Sequence, residues 1–228
     1  MKNKFPTALK AVLFDMDGVL YDSMPYHARA WKQVFKEHGL DIPDDFPYLQ
    51  EGRTGDGFVQ LIFQEQLNRK ATAQEVETIY ARKSELFNAF PKAEKMKGID
   101  RVIAHIKKDN LLRTIVTGSG QRSLIEKIAR QFPETFRPNL LVTAFDVKNG
   151  KPHPEPYLKG LEKLQVEARE AIVIENAPMG VKAGVAAGIF TIAVNTGILN
   201  DDVLWNAGAD MVFRSMDELA DQWDELRK

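Results

Sequence analysis

Short apolar runs rich in β-prone residues recur along the chain, and most are separated by stretches with apolar residues at helical spacing. The runs are KAVLFD (10–15), LRTIVTG (112–118), LLVTAFD (140–146), AIVIEN (171–176) and FTIAVN (190–195), with DMVF (210–213) a weaker last one. Continuous apolarity, unlike strict alternation, suits strands covered on both faces. Helical patterns at 121–132, 155–165, 178–187 and 216–227 fit between them. The pattern predicts an α/β fold, a doubly wound parallel sheet, with its ligand crevice at the carboxyl ends of the strands.

One interval breaks the rhythm. Between the first run and the run at 112 lies a long stretch without a convincing strand, too long for a single crossover. Segments 24–39, 54–70 and 73–89 carry apolar residues at helical spacing: Trp31, Val34 and Phe35; Phe58, Leu61 and Ile62; Val76, Ile79 and Tyr80. They predict a small helical bundle inserted after the first strand. The expected organisation is a core of residues 1–23 and 90–228 with a helical cap at 24–89 over the crevice. Proline and glycine clusters at Pro91, Gly98 and Gly150 to Pro156 fall at element ends.

Composition narrows the function by exclusion. The chain has 228 residues, and 31 lysines and arginines against 32 aspartates and glutamates leave a formal charge of -1. That balance gives no reason to expect a nucleic-acid partner. With no cysteine, disulfides, thiolate metal sites and cysteine nucleophiles are excluded. The N-terminal apolar run, Ala11 to Phe14, is far shorter than a membrane span or signal core, which needs on the order of 20 and 7–15 residues respectively. A cytoplasmic monomer with no membrane partner is expected.

The chemistry gathers at the strand ends. The first strand closes on Asp15-Met16-Asp17-Gly18, two carboxylates at i and i+2 on one side of extended chain. Two acids in a partly desolvated crevice require either a cation or a retained proton; alternatively they are solvated loop acids. Thr117-Gly118-Ser119 ends the second strand and could hold phosphate oxygens or merely cap a helix. Lys151, in the proline-braced GKPHP, could place a point charge on a phosphoryl group. Glu175-Asn176 ends the fourth strand and, with Asp15, supplies the hard oxygen ligands that Mg²⁺ accepts. Asp-x-Asp, Thr, Lys and Glu-Asn in that order form a specific constellation.

On these motifs the sequence resembles the haloacid dehalogenase superfamily over essentially its whole length. FDMDGVLYDSMPYHARAW (14–31), VTGSG (116–120), GKPHPEPY (150–157) and VIENAPMGVKAG (173–184) look like its β-phosphoglucomutase-like branch, which has an α-helical cap. The resemblance implies that Asp15 is the nucleophile, forming an aspartyl phosphate, and that Asp17 is the general acid and base. It implies that Thr117 and Lys151 clamp the phosphoryl oxygens. The Mg²⁺ shell would be Asp15, the Asp17 carbonyl, Glu175 and Asn176.

The cap departs from the mutase pattern. His27 and its surroundings match, but a carboxylate, Glu51, stands in Glu51-Gly52-Arg53-Thr54-Gly55 where sugar-phosphate mutases have lysine. Such a carboxylate would repel a second phosphate unless a metal lay between. Glu51 is therefore expected to join the metal shell on closure, making good the charge lost with Asn176 in place of aspartate; it could instead face solvent at a helix start. Gly120-Gln121 replaces the mutase lysine-asparagine pair. The EGRTG cap motif resembles superfamily members that hydrolyse inorganic pyrophosphate, with Tyr80 matching a residue that narrows the site. Expected substrate contacts are Gly118, Ser119, His27, Arg53 and Tyr80. His27 and Tyr80 could equally be packing residues, as Trp31, Trp205 and Trp223 are expected to be. Pyrophosphate is the expected substrate, β-phosphoglucomutase or sugar-phosphate phosphatase activity the alternative, and an inactive phosphate-sensing module a remote third.

Overall fold

The computed structural model describes residues 4–119 and 123–228. Five strands, β1 (Ala11–Phe14), β2 (Leu112–Ile115), β3 (Ala171–Glu175), β4 (Phe190–Val194) and β5 (Met211–Phe213), form one parallel sheet in the order β2-β1-β3-β4-β5. Alternate residues serve opposite faces. Val12, Phe14, Ile172, Ile174, Ile192 and Val194 join one core, with Trp223 and Ile106. Ala11, Leu13, Ala171 and Val173 join the other, with Tyr157 and Leu161. Two covered faces explain why β1, β3 and β4 read as largely continuous apolar runs rather than alternating ones.

The core helices are α5 (Ile99–Lys108), α6 (Ser123–Gln131), α7 (Glu155–Leu164), α8 (Pro178–Ala186), α9 (Asp201–Asn206) and α10 (Met216–Leu226). Ile99, Val102, Ile103 and Ile106 of α5 are buried at i, i+3, i+4 and i+7, the spacing of one helical face. The chain reverses its strand order beside β1, so the carboxyl ends of β1 and β3 flank the crevice where such sheets bind ligands.

One expected strand is absent. LLVTAFD (140–146) contributes a single bridge, Val142 to Val116, between two 3₁₀ turns at Pro138–Leu140 and Ala144–Asp146. The Asp146 carboxylate accepts the Thr143 amide and hydroxyl, each at 2.8 Å, and is itself held by Lys163 at 2.6 Å. These local side-chain bonds outcompete a ladder that would have lain at the sheet's edge. Lys151 is consequently delivered by a loop. Glu155 braces that loop by accepting the Lys148 and Asn149 amides at 2.7 and 2.9 Å, and the Lys151–Pro152 peptide is cis.

Between β1 and α5 stand α1 (Met24–Glu37), α2 (Phe46–Leu49), α3 (Gly55–Leu67) and α4 (Ala73–Ala89). They bury a separate apolar cluster of Trp31, Val34, Phe35, Phe58, Val59, Ile62 and Ile79. The segment is tied at its base, where chain leaving the sheet meets chain returning: the Asp22 amide donates to Glu94 O and the Met96 amide to Leu20 O. Trp31 and Trp223 are buried as expected, whereas Trp205 is 37% exposed. No helix among the described residues is long and apolar enough to cross a membrane.

Candidate active site

Asp15 follows β1 directly, its amide still donating to Ile174 O at 3.0 Å. Its side chain is almost wholly buried, and it accepts a hydrogen bond from Lys151 Nζ. Lys151 Nζ also donates to Glu175 Oε1 at 2.6 Å and to Val116 O at 3.1 Å. Burial alone would push the Lys151 ammonium down, but Asp15 and Glu175 outweigh it and hold it above the ordinary lysine range. Burial pushes the Asp15 carboxyl up to about 8; Lys151 opposes the rise, while Glu175 and Asp17 add to it.

Glu175 has no free acceptor. Its Oε1 takes Lys151 and the Tyr157 hydroxyl, the latter at 2.8 Å, and its Oε2 takes the amides of Asn176 and Ala177 at 2.9 and 3.2 Å. Glu175, expected from sequence as a metal ligand, thus has a hydrogen-bond donor on every side in this arrangement. Its lone pairs are spent on holding the lysine and the start of α8.

Asn176 and Glu51 behave differently. Asn176 Nδ2 donates to Glu51 Oε2 at 2.9 Å, across 125 residues of sequence. The outer oxygen of each, Asn176 Oδ1 and Glu51 Oε1, is buried and makes no hydrogen bond within the protein. Burial, then Asp15 and Glu175, raise the Glu51 carboxyl well above the usual range. Two orphaned acceptors beside a crowd of buried carboxylates form an all-oxygen donor set short of positive charge, and a hard divalent cation fits that deficit. Among the described residues, no three acidic, histidine or cysteine side chains make a ready cage, so water would complete such a shell. Gly18, at φ +79°, keeps the site open, because a Cβ there would lie 2.1 Å from Asn176 Nδ2.

Asp17 has its own partners. Its Oδ1 accepts Ser23 Oγ at 2.5 Å and faces His27 Nε2 at 3.3 Å. His27 Nδ1 lies 2.8 Å from Lys83 Nζ, and the imidazole stacks on Phe87 at 4.1 Å. An ammonium can only donate, so Nδ1 is the acceptor and the His27 proton sits on Nε2, pointing at Asp17. Burial and Lys83 both hold His27 below its ordinary value, against the opposite pull of Asp17. Burial would raise Asp17, yet His27, Ser23 and Lys83 outweigh it and bring its carboxyl down to about 2. Asp17 is ionised and oriented by a relay from the helical segment.

Asp15, Asp17, His27, Glu51, Arg53, Tyr80, Lys83, Thr117, Gly118 and Ser119 line one cavity of about 100 Å³. Thr117 Oγ1 accepts the Ser119 amide at 3.1 Å in a local turn, four residues ahead of α6. The loop bearing Glu51 sits directly on the core: a Cβ on Gly118 would come within 3.2 Å of Gly52 O, and one on Gly150 within 2.8 Å of Thr54 Cγ2. The Tyr80 ring fills the space over Gly55, 2.2 Å from where a Cβ would stand. Arg53 Nε donates to Gln50 Oε1 at 3.0 Å.

Residues 9–188 match the family of haloacid dehalogenase-like hydrolases. The chain belongs to that family. Within it, the chain lies in the β-phosphoglucomutase-like branch. A solved structure from Bacteroides vulgatus, described as a candidate beta-phosphoglucomutase, is 50% identical, has a TM-score of 0.93, and is matched over 97% of this chain and 90% of its own. Hexitol phosphatase A of Escherichia coli is 31% identical over 92% of this chain and 93% of its own length. The beta-phosphoglucomutase of Bacillus subtilis is 25% identical over 96% and 97% respectively. None of these three is named for pyrophosphate. The chain is a haloacid dehalogenase-type phosphohydrolase or phosphoglucomutase-like phosphotransferase.

Of the residues expected from sequence, this member of the hydrolase family brings Asp15, Asp17, Thr117, Lys151, Glu175, Asn176 and Glu51 together, and His27, Arg53, Tyr80, Gly118 and Ser119 line the same cavity as Asp15 and Asp17. Gly120 and Gln121 lie outside the described residues. Sequence reasoning missed Lys83 and Tyr157. Lys83 stands one turn beyond Ile79 on the buried face of α4, and a lysine on that face is its signal.

Proposed function

We propose that the chain cleaves small phosphate compounds through an aspartyl-phosphate intermediate on Asp15, with Mg²⁺ as its metal. The observation that carries this reading is a carboxylate at the tip of β1 in contact with a buried ammonium, beside a second, ionised carboxylate on the same cavity. Asp15 attacks phosphorus in line, and the bond from phosphorus to the leaving oxygen breaks. Thr117 and Lys151 hold the phosphoryl oxygens. Asp17 takes up a proton from solvent as the phosphate binds, gives it to the leaving oxygen, then takes one back from the water that releases phosphate from Asp15. Its ionised state here is the form that accepts the proton, and approaching phosphate charge raises its affinity for one. Asp15, Asn176, Glu51 and the Asp17 carbonyl would hold the metal, which supplies charge neutralisation and keeps Asp15 ionised. The 24–89 helices act as a cap whose closure excludes water from the transfer.

The relatives' names support a sugar phosphate as the substrate, and this reading stands first. A second reading, pyrophosphate, is supported by Glu51: a carboxylate aimed at the metal site with an unbonded oxygen suits a compact, metal-laden substrate. The Tyr80 ring over Gly55 adds to it by narrowing the cavity.

Phosphate release from a panel of hexose phosphates, hexitol phosphates, β-glucose 1-phosphate with a bisphosphate primer, and pyrophosphate tests both readings. A sugar phosphate with the highest kcat/KM supports the first, and pyrophosphate exceeding every ester supports the second. No Mg²⁺-dependent turnover of any compound refutes phosphohydrolysis.

A further inference from the structure

Tyr157 has no part in the reaction as derived, yet its hydroxyl sits inside the charged core of the site. It lies in the first turn of α7, fully buried, and donates to Glu175 Oε1 at 2.8 Å. The same oxygen accepts Lys151 Nζ at 2.6 Å, and that ammonium stands 4.9 Å from the centroid of the Tyr157 ring. One side chain thus touches both the lysine and the lysine's acceptor. A buried phenol costs desolvation unless bonded, and phenylalanine would fill the same core without that cost.

The Glu175 carboxylate is confined on two sides. Two backbone amides hold Oε2, and Gly180 of α8 approaches so closely that a Cβ would lie 1.6 Å from Oε1. The remaining freedom is rotation that carries Oε1 away from the lysine, and the Tyr157 hydroxyl opposes it. Were Glu175 to turn, Lys151 would keep Asp15 and Val116 O as acceptors and be drawn toward the nucleophile.

We propose that Tyr157 is a positioning residue for the phosphoryl clamp: by fixing Glu175 it fixes the line along which Lys151 meets Asp15 and the transferring group. The inference rests on the clamp role given to Lys151 above, and it assigns Tyr157 no contact with substrate.

Tyr157→Phe tests it through kcat, calorimetric binding of inorganic phosphate, and thermal midpoint. Removing the bond lowers kcat and weakens phosphate about tenfold, the lower end for a hydrogen bond to a charged group, with the fold intact. The deciding measurement is a double-mutant cycle on phosphate binding. In Lys151→Met, adding Tyr157→Phe weakens phosphate no further, because the tyrosine acts through the lysine. Equal weakening in both backgrounds marks a merely structural tyrosine and overturns the proposal, as does Tyr157→Phe with unchanged kcat and phosphate affinity, or wild-type protein that binds no phosphate. Phosphohydrolysis fails on a different result, absence of turnover across the substrate panel, which leaves the binding cycle readable.

Discussion

Replacing Lys83 by methionine separates what this lysine costs the fold from what it gives the site. The ammonium is buried against His27, Asp17 and the rings of Trp31 and Phe87, at 5.3 and 5.0 Å from the two ring centroids. Burial brings it from 10.5 down to about 8, with Asp17 pulling the other way. At about 1.4 kcal/mol per tenfold change in proton affinity, that displacement is a folding cost of about 3 kcal/mol. Its sign follows from which state binds more protons. Below pH 8 both states are protonated and the folded state carries the whole cost. Between pH 8 and 10.5 the unfolded chain binds more, so stability rises with pH, and above 10.5 the cost is gone. Methionine keeps the length and apolar stem but forgoes about 1 kcal/mol of cation–π attraction. Lys83→Met is therefore expected to be more stable at pH 7 by about 1–2 kcal/mol, roughly 2–8 °C in thermal midpoint for a chain of this size. It should also be less active by roughly ten- to hundredfold, as when a group that orients a reactive side chain is lost, because nothing then fixes the His27 tautomer facing Asp17. Thermal unfolding from pH 6 to 10.5, alongside kcat/KM, reads both. A variant less stable at pH 7, or a stability gap that does not close above pH 8, refutes the reasoning.

Asp15→Asn should reduce phosphate release to background while leaving a folded protein, by the same thermal scan; residual turnover would remove Asp15 as nucleophile. Lys151→Met deletes a charge worth about 4 kcal/mol at ~4 Å and an effective dielectric near 20, so kcat should fall about a thousandfold. A tenfold fall would show that the clamp lies elsewhere. Glu51→Gln should raise the Mg²⁺ concentration for half-maximal activity several-fold in a metal titration, and an unchanged titration would free Glu51 from the shell. Gly180→Ala forces a methyl into the place of Glu175 Oε1 and should lower both thermal midpoint and activity, the latter by more than tenfold; a variant equal to wild type would mean that Glu175 can move without consequence.

The strands and the chemistry at their ends were legible in the sequence because both are local. A strand buried on both faces must be apolar along nearly all its length: β1 is throughout, β3 up to Glu175 at its tip, and β4 except for Thr191. In a parallel sheet the residue after such a run lies at the ligand end whatever the rest of the chain does. Asp15, Asp17, Thr117 and Glu175 could thus be placed at the crevice, and the long gap before 112 could be read as inserted helices. The 140–146 run shows the limit: its apolar residues are strand-like, but the Thr143–Asp146 bonds turned the chain, and a run read for apolarity alone does not register that competition.

What only the tertiary structure decided are the pairings between distant charges. Lys83 on α4 meets His27 on α1 across 56 residues, and Glu51 meets Asn176 across 125. Glu175 reads as a metal ligand from its motif, yet in the fold its oxygens are taken by Lys151, Tyr157 and two amides. Apolar patterning is written residue by residue, because burial of each side chain depends mainly on its own element. The state and partner of a buried charge depend on every other charge brought into the same few ångströms, and that sum exists only once the chain has closed on itself.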